Sequence, residues 1–243
     1  LDNTRLHEIE GVKIAKEILD ALQFDPQKTE LICNIIDGHD SREEAVSLED
    51  KLVKDADKLW RFTVSAADIA GRGWMGLSHA AFNSYVTTRI DGWMLTEAAK
   101  EIARETTAET QAQLQHPLEC SAFMLIKENK LLVEKRRADK KLLPNAICIP
   151  GGHCDPGETP EETLVRELQE EVGLKADSFR FVCSLMHFSY EARILHYFAV
   201  DSWSGEMQME EAAELLWIDL DDESTLDIEV DRIAVREFNS VYR

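Results

Sequence analysis

The 243 residues carry 47 Asp and Glu against 27 Lys and Arg, a formal net charge of −20, with 44% hydrophobic residues and five cysteines. So acidic a surface disfavours bulk binding to a nucleic-acid duplex or an anionic membrane, although a bound divalent cation can reverse the sign locally. No apolar run approaches the ~20 residues that span a bilayer, nothing at the N-terminus has the form of a signal peptide, and the scattered cysteines without a CxxC pair read as reduced thiols of a cytoplasmic protein.

Helical periodicity dominates the first half. Ile9, Val12, Ile14, Ala15, Ile18, Leu19 and Leu22 recur at three- and four-residue steps, and Phe24-Asp25-Pro26 ends that helix. A second helix is expected from Thr29 through Ile36, closed by Asp37-Gly38. Ser47 and Asp50 stand in capping-box spacing and mark a third start. Residues 66–89 and 96–114 read as two further helices, and no strand-like alternation occurs before residue 115.

After Gln115-His116-Pro117 the texture changes. Short apolar or alternating runs predict strands over residues 120–127, 130–136, 146–149, 179–187, 194–202 and 215–218. A helix over residues 160–172 interrupts them, and a closing helix is expected over residues 231–242. The expected organisation is therefore α+β in two domains, an all-α piece at 1–115 and a mixed piece at 116–243 of ordinary single-domain size.

The stretch that carries chemistry runs from Gly151 to Leu174. Asp155-Pro156-Gly157 is turn chemistry. Thr159 is a natural N-cap, Pro160 suits the first helical position, Glu162 completes a capping box, and Gly173 sits where a helix C-terminal glycine belongs. Leu164, Val165, Leu168 and Val172 form one apolar face of that helix. Glu167, Glu170 and Glu171, at i, i+3 and i+4, share another. Three carboxylates so placed repel one another unless a cation sits among them, and hard oxygen ligands select Mg²⁺ or Mn²⁺. Arg166 adjoins the cluster and can hold a carboxylate in place. The plainer reading of three glutamates alone is a solvated helix face.

The fixed positions Gly152, Glu158, Arg166, Glu167, Leu168, Glu170, Glu171, Gly173 and Leu174 match the Nudix signature throughout. Residues 116–243 therefore resemble the Nudix hydrolases. The resemblance implies an α/β/α sandwich with a mixed sheet and a metal-dependent hydrolase of nucleoside diphosphates linked to a further group. It implies Glu170 and Glu171 as metal ligands, Glu167 as general base or additional ligand, the Gly151 carbonyl completing the shell, and Glu158 and Arg166 as residues that orient the ligands. The cofactor expected is Mg²⁺ or Mn²⁺. The run of residues 203–217 is similar to the MutT-type branch, in which a glutamate six residues before a strand tryptophan supplies another ligand. That position is Glu211, with Glu210 next to it. In this fold Lys135-Arg136-Arg137 borders the active site, so Arg136 or Arg137 can meet a substrate phosphate; a plain basic turn is the other reading. The MutT likeness implies a nucleoside triphosphate pyrophosphatase. Tyr190, near where a tyrosine marks diadenosine-polyphosphate hydrolases, keeps dinucleoside polyphosphates second, beside nucleotide sugars. A non-catalytic nucleotide-sensing regulator is the reading from another class, and the intact glutamates favour an enzyme.

The helical half is similar to the middle of an HD-type phosphohydrolase at residues 7–15, 36–40 and 54–59. By that resemblance His7 and His39 fall near accessory histidines and Asp57 near the last aspartate ligand. The defining His-Asp pair should precede His7, so a truncated or degenerate HD domain is expected, and the start at Leu1 without methionine raises the expectation of an upstream segment. Such a bundle can serve as a structural partner or support a homodimer, with Trp60, Phe62, Trp74, Phe82 and Trp93 supplying apolar area.

Overall fold

The structure is a computed structural model that describes residues 3–243, with side chains from residue 5 onward. It divides into two compact units, the first ending at Gln115 and the second spanning His116–Arg243.

In the first unit, α1 (Asn3–Ala21) packs on α2 (Pro26–Ile36). α2 starts three residues before the expected Thr29, because Asp25 caps it by accepting the Lys28 N–H at 2.8 Å and Pro26 fills the first turn. The segment that stops one helix thus starts the next. α3 (Leu48–Leu59) is capped by Ser47 as expected, but the box is not reciprocated. Asp50 turns instead to the Val46 N–H at 2.9 Å and the Arg42 guanidinium at 2.8 Å. The expected helix over residues 66–89 is broken. α4 (Val64–Ala66) runs into a π-helical stretch, Ala67–Trp74, and a new cap at Ser78 starts α5 (His79–Thr87). Gly71, Gly73 and Gly76 weaken the helix there, and Ser78 offers a better start. α6 (Ile90–Trp93) and α7 (Glu97–Gln115) complete the unit, and Phe62, Ala66, Phe82, Val86, Ile90, Met94 and Ala103 form its core.

The second unit is a mixed sheet between helices. β1 (Leu118–Lys127) is its hub. It runs parallel to β6 (Ala192–Ser204), which pairs antiparallel with the long β5 (Lys175–Phe188). The far end of β1 pairs with β2 (Lys130–Lys135), and β2 pairs with β3 (Ile147–Cys148) and β7 (Glu214–Asp219). β4 (Gly151–His153), not expected as a strand, pairs antiparallel with the start of β1. Its two glycines carry no strand preference, so the pairing itself makes the strand.

Alternation along β1 sends Ala122 and Met124 to one face and Phe123 and Leu125 to the other. The first face packs on α9 (Glu229–Tyr242) through Ala234, Val235 and Phe238. The second packs on α8 (Pro160–Val172) through Leu164, Leu168 and Val172, each at 0% exposure. Burial of that order contributes about 1.5–3 kcal/mol per side chain. Anchored on its apolar face, α8 presents its carboxylate face to a cavity of about 700 Å³. Among the described residues no helix is long and apolar enough to cross a membrane.

Candidate active site

α8 begins and ends on local signals. The Thr159 hydroxyl accepts the Glu162 N–H at 3.2 Å, Glu162 accepts the Thr159 N–H at 2.9 Å, and Gly173 closes the helix at φ +70°. The helix's unpaired end carbonyls are used by a later loop. Gln208 N donates to Val172 O at 2.9 Å and Glu210 N to Glu171 O at 3.2 Å.

Arg166 organises the carboxylate face. Its Nε and Nη2 grip both oxygens of Glu158, each at 2.9 Å, and Nη2 also donates to the His153 carbonyl at 2.9 Å. Its Nη1 donates to Glu167 Oε1 at 2.7 Å and to Glu170 Oε2 at 2.9 Å. Glu158, further bound by the Asp155 N–H and the Thr163 hydroxyl, stands behind this guanidinium. Arg166 is the chief cause holding its carboxyl down at about 2. Gly152 makes room for the next contact: a Cβ there would lie 2.1 Å from Glu167 Oε1.

Glu171 is not among the carboxylates that Arg166 binds. Its Oε2 is buried without a hydrogen-bond partner among the described residues. Burial first, then the charges of Glu134, Glu167 and Glu211, push its carboxyl up to about 8. Burial likewise raises Glu167. Crowded, partly desolvated carboxylates with open oxygens are what a hard divalent cation relieves, so the donor set fits Mg²⁺ or Mn²⁺. Among the described residues no three His, Cys, Asp or Glu side chains are already gathered to hold a metal. Arg166 accounts for this at α8 by drawing Glu167 and Glu170 to itself.

The cavity is lined by Gly151, Arg166, Glu167, Glu170, Glu171, Glu211 and Arg136. Of the two acidic loop positions, Glu211 reaches it, and Lys140 holds Glu211 at 3.2 Å. Of the two arginines, Arg136 lines the cavity, whereas Arg137 lies outside that lining in a pair with Asp139 at 3.1 Å. Strand parity holds the signal for this difference: Arg136 is in step with Leu132, which faces α8. Sequence reasoning did not single out Glu134, Lys140, Lys141 and Arg193, which also line the cavity. Glu134 is the lone acid of a buried apolar strand, and that apolar run conceals it. The two lysines sit on a loop whose path no periodicity reports.

In the helical unit, His7 and His39 do come together, with Nε2 atoms 3.2 Å apart. Among the described residues, no third His, Cys, Asp or Glu joins them in a metal-holding group. Asp40, next to His39, gives its backbone N–H to the buried Glu8.

The comparisons with known proteins follow this division. The HD domain family model matches residues 2–61. An 8-oxo-dGTP diphosphatase of Buchnera aphidicola subsp. Schizaphis graminum is 37% identical over 99 residues, 41% of this chain and 75% of that protein. The 8-oxo-dGTP diphosphatase of Escherichia coli K12 is 34% identical, covering 42% of this chain and 81% of that protein. A crystal structure of a MutT Nudix hydrolase from Burkholderia pseudomallei superposes with a TM-score of 0.46 at 22% identity, over 49% of this chain and 96% of that one. The NUDIX domain family model matches residues 115–238, which span the signature, the sheet and most of the closing helix. With half its length inside that match and a helical, HD-like region in front, the chain belongs to the Nudix family of hydrolases.

Proposed function

We propose that the chain is a Mg²⁺- or Mn²⁺-dependent pyrophosphohydrolase that splits a nucleoside triphosphate into the nucleoside monophosphate and pyrophosphate. The observation that carries this reading is the α8 carboxylate face opening on the cavity, where the buried Glu171 Oε2 has no hydrogen-bond partner among the described residues. Glu170, Glu171 and Glu211, with the Gly151 carbonyl, would hold the cation. When bound, such a cation neutralises a polyphosphate and acidifies water. Glu167 serves as general base, receiving the water proton at Oε2, the oxygen Arg166 does not engage. Arg166, itself fixed by Glu158, keeps Glu167 and Glu170 in place. Arg136 and Lys141 meet the substrate's phosphates from the cavity wall. The names of the two diphosphatase relatives, most of whose length is covered, support a triphosphate substrate. The five free cysteines support a reducing, cytoplasmic setting.

The test is a hydrolysis screen of the full chain over nucleoside triphosphates, oxidised nucleotides, nucleotide sugars and dinucleoside polyphosphates, with and without Mg²⁺, products identified. Metal-dependent release of pyrophosphate and monophosphate is expected. Release of orthophosphate, or hydrolysis of none of these compounds, would refute the reading. One observation favours a second substrate class: Tyr190, 43% exposed, lines the cavity with Arg193 over its ring. Cleavage of dinucleoside polyphosphates in preference to triphosphates would support that class.

A further inference from the structure

Glu134 is a buried cavity group that none of these roles uses. It stands on β2, only 8% exposed, in step with Leu132 and opposite Cys148 on β3. Its Oε1 accepts from the Cys148 thiol at 3.3 Å and faces Arg136 Nη1 at 3.4 Å. Its Oε2 has no partner among the described residues. A carboxylate oxygen on a cavity wall loses its water when a ligand closes over it, which is costly unless the ligand supplies a donor. The neighbouring buried acid, Asp231, has no such opening, since one oxygen accepts from the Tyr197 hydroxyl at 2.6 Å and the other from the Ile149 N–H at 2.9 Å.

Apolar side chains line the same cavity as Glu134. The Leu142 carbonyl accepts from Arg136 Nε at 3.3 Å, which brings the loop before β3 to this spot. Leu142 and Leu143 are 39% and 50% exposed, yet both line the cavity. Leu143 sits at φ +47°, a conformation uncommon for a bulky residue and more often kept where function needs it. On the other side of β3, Asp227 and Asp231 bind the Ile147 and Ile149 N–H groups, so Ile228 and Val230 also reach the cavity. Apolar walls beside a carboxylate acceptor suit a flat heterocycle whose edge carries donors.

We propose that Glu134 reads the substrate's nucleobase, accepting hydrogen bonds from an edge with two adjacent donors, as guanine presents. This rests on the nucleoside triphosphate reading above. Guanine offers its N1–H and exocyclic amino group side by side. Adenine and cytosine offer one amino group beside a ring-nitrogen acceptor. Uracil and thymine offer one N–H between two carbonyls that a carboxylate repels. Arg136 keeps the carboxylate's charge compensated, and the Cys148 thiol fixes its orientation.

The experiment measures kcat and KM of the full chain with GTP, ITP, ATP and UTP, before and after the E134Q substitution. ITP lacks the exocyclic amino group. The unaltered protein is expected to favour GTP over ITP by about ten-fold in kcat/KM, mostly through KM. Gln presents one acceptor and one donor, so E134Q should lower the GTP-to-ATP ratio of kcat/KM by about ten- to a hundred-fold. A uniform loss on every nucleotide would overturn the proposal and place Glu134 among the metal-holding carboxylates. Equal use of GTP, ITP and ATP by the unaltered protein would also overturn it. If no triphosphate is cleaved, the triphosphate reading fails by itself, and calorimetric binding of GMP, IMP and AMP still decides the base reading. Preference for GMP that E134Q abolishes supports it; equal affinities overturn it.

Discussion

Substituting Gly152 with alanine tests the site through a single added carbon. The new Cβ would lie 2.1 Å from Glu167 Oε1 and 2.4 Å from its Cδ. Ordinary contact begins near 3.4 Å, so the carboxylate must retreat by 1.3 Å (3.4 − 2.1). The far end of a glutamate side chain can move that far without moving the backbone, so the fold should survive. The contact that fails is the 2.7 Å hydrogen bond from Arg166 Nη1 to Glu167 Oε1. A misplacement of about 1 Å at a catalytic group costs on the order of a hundred-fold in rate, or about 2.7 kcal/mol of transition-state stabilisation. The assay is metal-dependent pyrophosphate release at saturating and at low triphosphate, with thermal unfolding followed in parallel. G152A is expected to keep its unfolding midpoint within a few degrees and to lose about a hundred-fold in kcat. Activity within three-fold of the unaltered protein would refute the placement of Glu167 at the reacting centre.

Glu171→Gln should remove metal-dependent turnover by several orders of magnitude while raising the unfolding midpoint of the metal-free protein, because a carboxyl that burial and its neighbours hold well above its ordinary range is gone; retained turnover would remove Glu171 from the ligand set. Thr159→Ala breaks the capping box and should cost about 1 kcal/mol in chemical denaturation, with a loss below about 0.3 kcal/mol counting against a working cap. Glu8 carries a pH prediction for the helical unit. Burial alone would raise its carboxyl, but the Ser41 N–H and hydroxyl, Arg5 and the Asp40 N–H outweigh it and bring it to about 2 from 4.5. A depressed carboxyl contributes stability in full above about pH 4.5 and loses it as pH falls through about 2. Glu8→Gln should therefore destabilise the unit by on the order of 2–3 kcal/mol at pH 7, with the difference vanishing toward pH 2; urea melts across that range, showing a gap that does not close, would refute the linkage.

What the sequence made legible was whatever local chemistry decides. The limits of α8 follow from Thr159, Pro160, Glu162 and Gly173, none of which needs a distant partner. The two faces of that helix follow from spacing alone. The separation into an all-α and a mixed piece follows from the change of period near residue 115. What depends on pairing or on a loop's path was not legible. β4 exists because Gly151 and Gly152 lie against Ser121 and Ala122, residues about 30 positions away. The helix expected over residues 66–89 looked continuous because its apolar residues keep step, while three glycines and the Ser78 cap divide it. The four contacts of Arg166 to Glu158, Glu167, Glu170 and the His153 carbonyl could be guessed only as adjacency. Glu134 was hidden by its neighbours, since a strand read as an apolar run draws no attention to the acid that ends it.

The loop bearing Glu211 hangs from the last turn of α8 by two backbone hydrogen bonds, Gln208 to Val172 and Glu210 to Glu171. Its length is therefore gauged. An extra residue between Glu210 and Glu211 would carry that carboxylate past the cavity, although it touches neither the signature helix nor the sheet. The loop is thus a measured arm whose span is set by the end of a helix far away in sequence.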